Sequence, residues 1–480
     1  MKKILISSLA VSALLFTVSC KTDFDQDVSD VVVSKGTADF SKYVALGNSL
    51  TSGYRDNALY IDGQNESYPS MIAAQMQLAG GGAFKQPLIP NNSGGFTNLP
   101  GFPGKLVLSP TVSPVATAAG GPLDNVSTGA PYQNLGVPGA KSFHLGLAGY
   151  GSAAGLQTGT ANPYYVRFAT SATSSVIQDA VAQKPTFFSL WIGNNDVLSY
   201  ASSGGIGVDR TGNLNPATYG PNDITDPGVV ASVISGYVNA LTVGGAKGVL
   251  VNIPNVTSIP YFTTVPAQPI ANLTATQVTQ LNSAYAQYNG GLAQAKAGGL
   301  INDAEYQSRL IKFNATVANG AVISDKDLTN LAALGLPSYR QTTAKDFILL
   351  TAAGVLPTGG GTSTPLADQF VLTEKETAKV LTATAAYNTS ITSIAASKGL
   401  ALVDANAKLL QLSATSGLQY DGVRYTAKFV TGGSFSLDGV HLTGRGYAII
   451  ANEFIKQINA KYGSTLPTVE VNKYSGVKFP

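Results

Sequence analysis

The sequence predicts an α/β protein, a three-layer α/β/α sandwich on a mainly parallel sheet, enlarged by large loop and helical insertions. Three observations carry that expectation. Short apolar runs recur without polar alternation, as in strands buried on both faces. Glycine closes two of them at once, at Gly47 and Gly193. Segments of helical length and period separate them, the rhythm of a parallel sheet with crossover helices.

The elements follow in chain order. Tyr43-Val44-Ala45-Leu46, closed by Gly47, reads as the first strand. Residues 80–135 are rich in Gly, Pro, Ser and Thr without a sustained period, and read as long loops with little regular structure. Ser171 to Gln183 suits a helix. Thr186 to Ile192, ended by Gly193, reads as a second strand, and 202–228 as another loop. Val229 to Val243 suits a helix and Gly248 to Ile253 a third strand. Thr373 and Glu376 have capping-box spacing and open a helix to Lys398. Leu400 to Asp404 is a fourth strand, and Gly446 to Lys461 a closing amphipathic helix. Residues 255–372 interrupt this order and are too long for a simple connection. They contain a helical stretch from Thr276 to Tyr288 and a loop at Gly359-Gly360-Gly361, and read as a lid or subdomain. The domain expected from this is 41–480, carrying insertion 255–372.

Open parallel sheets bind ligands beyond the carboxyl ends of their strands. After the first strand stands Gly47-Asn48-Ser49-Leu50, and after the second Gly193-Asn194-Asn195-Asp196. Between them lies the turn-rich segment Asn134-Leu135-Gly136-Val137-Pro138-Gly139. Just before the closing helix comes Asp438-Gly439-Val440-His441. Attack by serine needs a nucleophile, a base, a carboxylate to orient the base, and donors for the oxyanion. Ser49 can supply the first and His441 the second. Asp438 stands three residues before His441, close enough to pair. The Ser49 backbone, the Gly139 backbone and the Asn195 amide offer donors. Each motif alone is weak, and their joint order is the signal. His144, the other histidine, is expected to be structural.

In this order and spacing the chain resembles the SGNH (GDSL-type) hydrolase family. The family's four named positions fall on Ser49, Gly139, Asn195 and His441, and Asp438 completes a Ser-His-Asp triad. The matching blocks are 43–60, 132–142, 186–198, 247–254 and 400–458. The resemblance implies a flavodoxin-like sandwich and a carboxylic ester hydrolase working through an acyl-enzyme, with an oxyanion hole from Ser49, Gly139 and Asn195. It implies no metal and no cofactor. Substrates would be lipid or fatty-acyl esters, or O-acetyl groups of glycans. One departure stands out, since Asn48 occupies the position of the family's usual aspartate. That departure is the one hint of a rival reading, a non-catalytic surface lipoprotein that binds glycan or lipid on the same fold.

The chain ends and the composition bound the rest. Lys2 and Lys3 precede an apolar run from Ile4 to Phe16, which reads as a signal peptide over 1–19. The run ends at Thr17-Val18-Ser19-Cys20, which resembles a bacterial lipobox with Cys20 as the lipid-attachment residue. Residues 20–40 read as a tether. Its Asp23, Asp25 and Asp27 fit a calcium loop poorly, because Val28 and Ser34 stand where Gly and Glu belong. They resemble instead the acidic export signal of Bacteroidetes lipoproteins. The expected location is therefore the outer membrane, on either its cell-surface or its periplasmic face, held by the lipid anchor. Cys20 is the single cysteine, which excludes a disulfide framework and a cysteine-based metal site. A net charge of +3 without a Lys/Arg-rich run argues against nucleic acid as a partner.

Overall fold

Five strands form the central sheet of the computed structural model, which describes residues 32–480. The signal segment 1–19, Cys20 and the tether up to residue 31 lie outside the described residues. The strands are β1 (Tyr43–Gly47), β2 (Asn134–Gly136), β3 (Phe187–Trp191), β4 (Lys247–Val251) and β5 (Ala401–Val403), in the order β5-β4-β3-β1-β2. All neighbours run parallel. Ala45 stands opposite Ser189 on one side and Asn134 on the other. Every residue of β1 and β3 is buried, so neither strand needs a polar face and neither alternates.

One strand escaped the sequence reading. Residues 134–136 were expected as turn, yet they form the edge strand β2. Its Asn134 is buried, and the amide donates to the Thr51 carbonyl at 2.9 Å and to Gln86 at 2.8 Å. Tertiary partners thus satisfy a polar residue that local pattern cannot assign to a strand.

The helices include α1 (Ser49–Ser52), α2 (Tyr68–Leu78), α3 (Val176–Ala182), α4 (Asn195–Ser202), α5 (Pro227–Thr242), α6 (Ala275–Ala284), α7 (Ala286–Ala297), α8 (Glu374–Ser397) and α9 (Gly444–Tyr462). Helices α2 and α9 pack together on one face, and α3, α5 and α8 cover the other. In α9, Tyr447, Ala451, Phe454 and Ile458 recur at helical spacing and are fully buried. Phe454 stacks on Tyr68 of α2 with ring centroids 4.6 Å apart. Helix α8 opens with the expected capping box, in which Thr373 N–H donates to the Glu376 carboxylate at 2.9 Å. Helix α3 begins later than expected, because Ser175 and Gln178 form a capping box of their own. The helix expected over 276–288 is two helices, α6 and α7, parted at Tyr285, whose hydroxyl reaches in to the Thr362 carbonyl.

The segment between β4 and α8 builds a second apolar core, with Tyr288, Leu292, Phe313, Ile323 and Leu366 among its members. Arg340 ties it together, donating to Asp325 at 2.6 Å and to both oxygens of Asp346 at 2.7 and 2.8 Å. Asp346 also accepts from the Glu374 N–H at 3.1 Å, which fastens this core to the start of α8. The loops at 80–135 are held in a similar way. The fully buried Arg167 donates to the carbonyls of Pro87 at 2.9 Å and Leu88 at 2.8 Å, and to Asp124 at 3.0 Å. Irregular backbone thereby finds the partners that a ladder would otherwise supply. Among the described residues no helix is long and apolar enough to cross a membrane.

The chain leaves β1 for β2 on one side of the sheet, then crosses to β3 on the other. Strand order therefore reverses between β1 and β3, and a crevice opens there beyond their carboxyl ends. Ser49 and Asn195 both emerge at that crevice.

Candidate active site

Ser49 is the first residue of α1, one residue after the Asn48 cap. Asn48 Oδ1 accepts from the Leu50 N–H at 3.1 Å, and its amide donates to Asn194 Oδ1 at 3.2 Å. Asparagine therefore performs the capping an aspartate would perform here and adds a neutral tie to the turn after β3. First-turn N–H groups have no partner inside their own helix. Among the described residues the Ser49 N–H has no protein acceptor, so it can serve a ligand.

The turn before α9 carries His441. Its Nε2 lies 2.8 Å from Ser49 Oγ, and its Nδ1 lies 2.8 Å from Asp438 Oδ2. The side chains of His441 and Asp438 are 14% and 9% exposed, so the line is shielded yet reachable. Asp438 is held from several directions. Its Oδ1 accepts from the N–H groups of Val440 at 2.9 Å and His441 at 2.8 Å, and from Ser436 Oγ at 3.0 Å. Its Oδ2 accepts from the Asn57 N–H at 2.9 Å. Burial opposes the charge, but the His441 imidazole and these hydrogen bonds outweigh it and hold the carboxyl well below the ordinary carboxylate range. Gly439 shapes the turn with a φ of +70°, and a Cβ there would meet Leu350 Cδ2 at 3.0 Å and the Tyr261 N at 3.1 Å. Both contacts come from the segment that follows β4, which thus buttresses the Asp438–His441 turn from outside.

Gly139 follows β2 with a φ of +79°, a conformation glycine adopts without penalty. Among the described residues its N–H also has no protein acceptor. The Asn195 amide donates one hydrogen to the Ala140 carbonyl at 2.9 Å and keeps a second. Asp196 is fully buried and accepts from Ser142 N–H at 2.8 Å and Ser142 Oγ at 2.7 Å. The loop of Gly139 is thereby bonded to the start of α4. Three separate segments that carry possible oxyanion donors form one hydrogen-bonded unit.

Ser49, Gly139, Asn195 and His441 all line one cleft of about 390 Å³, whose remaining wall includes Tyr54, Phe102, Asn162 and Tyr164. The Tyr54 ring lies 4.8 Å from the His441 ring, which limits the imidazole's freedom to swing away. Among the described residues no three His, Cys, Asp or Glu side chains gather as a metal site. His144 stands apart from the cleft. Its Nδ1 accepts from the Lys141 N–H at 3.0 Å, and its ring stacks on Tyr150 at 4.8 Å.

Burial, reinforced by the nearby Lys141 charge, pushes the His144 imidazole from its ordinary 6.5 down to about 4. The folded value lies below the unfolded one, so His144 binds a proton in the unfolded chain first. Its neutral form supports the fold fully above about pH 6.5, and that support is lost as pH falls from there towards about 4. Melting temperature is expected to drop over this window, and less steeply in His144→Gln. Equal slopes in the two proteins would remove His144 from the account.

Several positioning residues were not foreseen. Asn57, Ser436 and Asp56 surround the Asp438 carboxylate or its turn, with Asp56 Oδ1 accepting from the Leu437 N–H at 3.0 Å. Tyr60 donates to Asp56 at 2.6 Å, and Arg55 joins Tyr60 to Glu66 at 2.6 Å each. No local motif announces them, because Asp56 and Asn57 reach the Ser436–Asp438 turn from 380 and 381 positions away, and Arg55, Tyr60 and Glu66 act through Asp56.

No protein-family model matches the sequence, and no curated protein matches it. Among solved structures the chain overlaps a catalytic mutant of Axe2, an acetylxylan esterase from Geobacillus stearothermophilus, with 11% identity, 88% of this chain and 95% of that chain covered, and a TM-score of 0.32. It also overlaps an extracellular lipase from Streptomyces rimosus, at 11% identity, 87% and 98% coverage and a TM-score of 0.30. Overlaps so distant carry no argument about chemistry, which rests on the geometry around Ser49.

Proposed function

We propose that the chain is a serine ester hydrolase of the SGNH type, acting on carboxylic esters through an acyl-enzyme. The observation that carries this reading is the unbroken line Ser49 Oγ, His441 Nε2, His441 Nδ1, Asp438 Oδ2, with 2.8 Å at each hydrogen bond. It stands beside three N–H donors that have no acceptor among the described residues. In this reading His441 takes the Ser49 proton as Oγ attacks the ester carbonyl, and Asp438 fixes the tautomer that leaves Nε2 able to accept it. The N–H groups of Ser49 and Gly139 and the Asn195 amide receive the oxyanion. The alcohol leaves with the proton from His441. Water, deprotonated by the same histidine, then attacks the acyl-enzyme and releases the acid. No residue of this sequence of steps calls for a metal or cofactor. The esters considered are those of lipids and the O-acetyl groups of glycans.

A fluorophosphonate probe tests the reading directly. It should label the protein covalently at Ser49 and nowhere else, and Ser49→Ala should remain unlabelled. A folded protein that takes no label would defeat the proposal. Asn195→Ala should lower kcat by about 10²–10³, the usual cost of one oxyanion donor, with little change in KM. Steady-state rates on a short-chain aryl ester measure both. A rise in KM at unchanged kcat would instead make Asn195 a ground-state binding group.

The lipid anchor at Cys20 is proposed on sequence alone. Stable attachment takes more than one fatty chain. Cys20→Ser should move the protein out of the membrane fraction, and retention there would exclude the anchor.

A further inference from the structure

Ser49, Asn195, Leu198 and His441, which line the open cleft, also border a second void beside it. This slot, of about 50 Å³, has Leu50, Leu198, Pro254, Val256, Ile259 and Val440 as its apolar walls. A further void of about 80 Å³ shares Leu50, Pro254, Ile259 and Val440 with it and runs on past Trp191 and Leu412 beneath the first turns of α9. No carboxylate lines either void. The one cation there, Lys408, is held by Glu453 at 2.9 Å. Trp191 and Ser434 stand in the wall of the further void and are 3% and 0% exposed. Through their shared walls the two voids make one apolar tract that begins at Ser49.

We propose that these voids form the acyl arm of the site and that its occupant is an aliphatic acyl chain of medium length, while the alcohol part of the ester lies in the open cleft. The inference rests on the ester-hydrolase reading and selects fatty-acyl esters over acetyl esters within it. The walls are carbon, so each methylene that enters leaves water for hydrocarbon surroundings. About 0.8 kcal/mol per methylene corresponds to roughly fourfold in affinity. kcat/KM should therefore climb by up to about that factor per methylene from acetate through butanoate to hexanoate, then level off once the arm is full. The segment after β4 supplies Val256 and Ile259, which gives that segment a part in chain-length selection.

Trp191 is the chain's single tryptophan, so tryptophan emission comes from the wall of the further void. Octanoate added to the wild-type protein should shift Trp191 emission saturably, and acetate should not. Ile259→Phe narrows the shared wall and should weaken the octanoate response and cut octanoate turnover relative to acetate by about tenfold or more. Leu412→Phe, at the other end, should affect only the longest chains, and it keeps the test open if Ile259→Phe does not fold. A flat emission titration, or equal losses on acetate and octanoate in folded Ile259→Phe, would overturn the acyl arm. The two readings fail separately. Fluorophosphonate labelling with a flat Trp191 response leaves the hydrolase and removes the arm. A saturable Trp191 response without labelling or turnover leaves an apolar-chain site and removes the hydrolase.

Discussion

Ser49→Ala and His441→Ala are each expected to lower kcat on a short-chain aryl ester by about 10⁶, leaving only the roughly 10³–10⁴ over the uncatalysed reaction that oxyanion donors and binding supply. The two should cost nearly the same, and the double variant little more than either. The reason is geometric. Ser49 Oγ is a weak nucleophile until His441 Nε2, 2.8 Å away, receives its proton. Without the base the hydroxyl stays protonated, and without the hydroxyl the base has nothing to activate. Folding should survive both changes, since each side chain faces the cleft and neither belongs to the apolar core. Circular dichroism checks that point. Near-wild-type turnover in either folded variant would place the chemistry elsewhere.

Asp438→Asn is the second large effect, about 10⁴ in kcat. An asparagine at this position has one oxygen where the carboxylate has two. If its oxygen faces the N–H groups of Val440 and His441, its NH₂ meets His441 Nδ1. The imidazole must then accept at Nδ1 and carry its hydrogen on Nε2, which leaves it unable to take the serine proton. If its oxygen faces His441, the NH₂ meets donors from Val440 and His441 and the turn is pushed apart. Either arrangement spoils the base. The change should also remove a pH dependence. Asp438 is held below its unfolded value of 3.8, so its contribution to stability is present above about pH 4 and lost as pH falls further. Acid unfolding of Asp438→Asn should be less steep below pH 4 than that of the wild type. A variant with wild-type kcat would show that His441 needs no carboxylate partner.

Much of this architecture was legible in the sequence because the sheet is buried on both faces. Strands β1, β3, β4 and β5 announce themselves as apolar runs with glycine punctuation or a following helix. Strand β2 did not, since Asn134 and Gly136 look like turn residues and only the bonds to Thr51 and Gln86 make a strand of them. Likewise Ser49, Gly139, Asn195, Asp438 and His441 could be picked out as candidates, because each stands in a short motif at the end of an element. The residues that hold them could not. Asn57 meets Asp438 from 381 positions away, and Ser142 meets Asp196 from a loop that local pattern reads only as a turn. Contacts of that kind are decided by the topology of the sheet, and single-sequence periodicity does not contain them. The same holds for Arg167, whose place among loop carbonyls gives order to a stretch that has almost no ladder of its own.

Ser49 and His441 are 392 residues apart, one at the start of the sheet and the other just before the closing helix. A growing polypeptide therefore displays its serine long before the partner that can activate it has been made. On the proposed reading, any chain that stops short of residue 441 should be inactive, however well its first strands are paired. Bringing two such distant points together carries a loop-closure cost that only the completed sheet and α9 repay. On the proposed reading, turnover would report completion of the fold. It is expected to appear late in refolding, after the secondary structure has returned, and a single proteolytic cut that frees the last forty or so residues should abolish it while leaving Ser49 untouched.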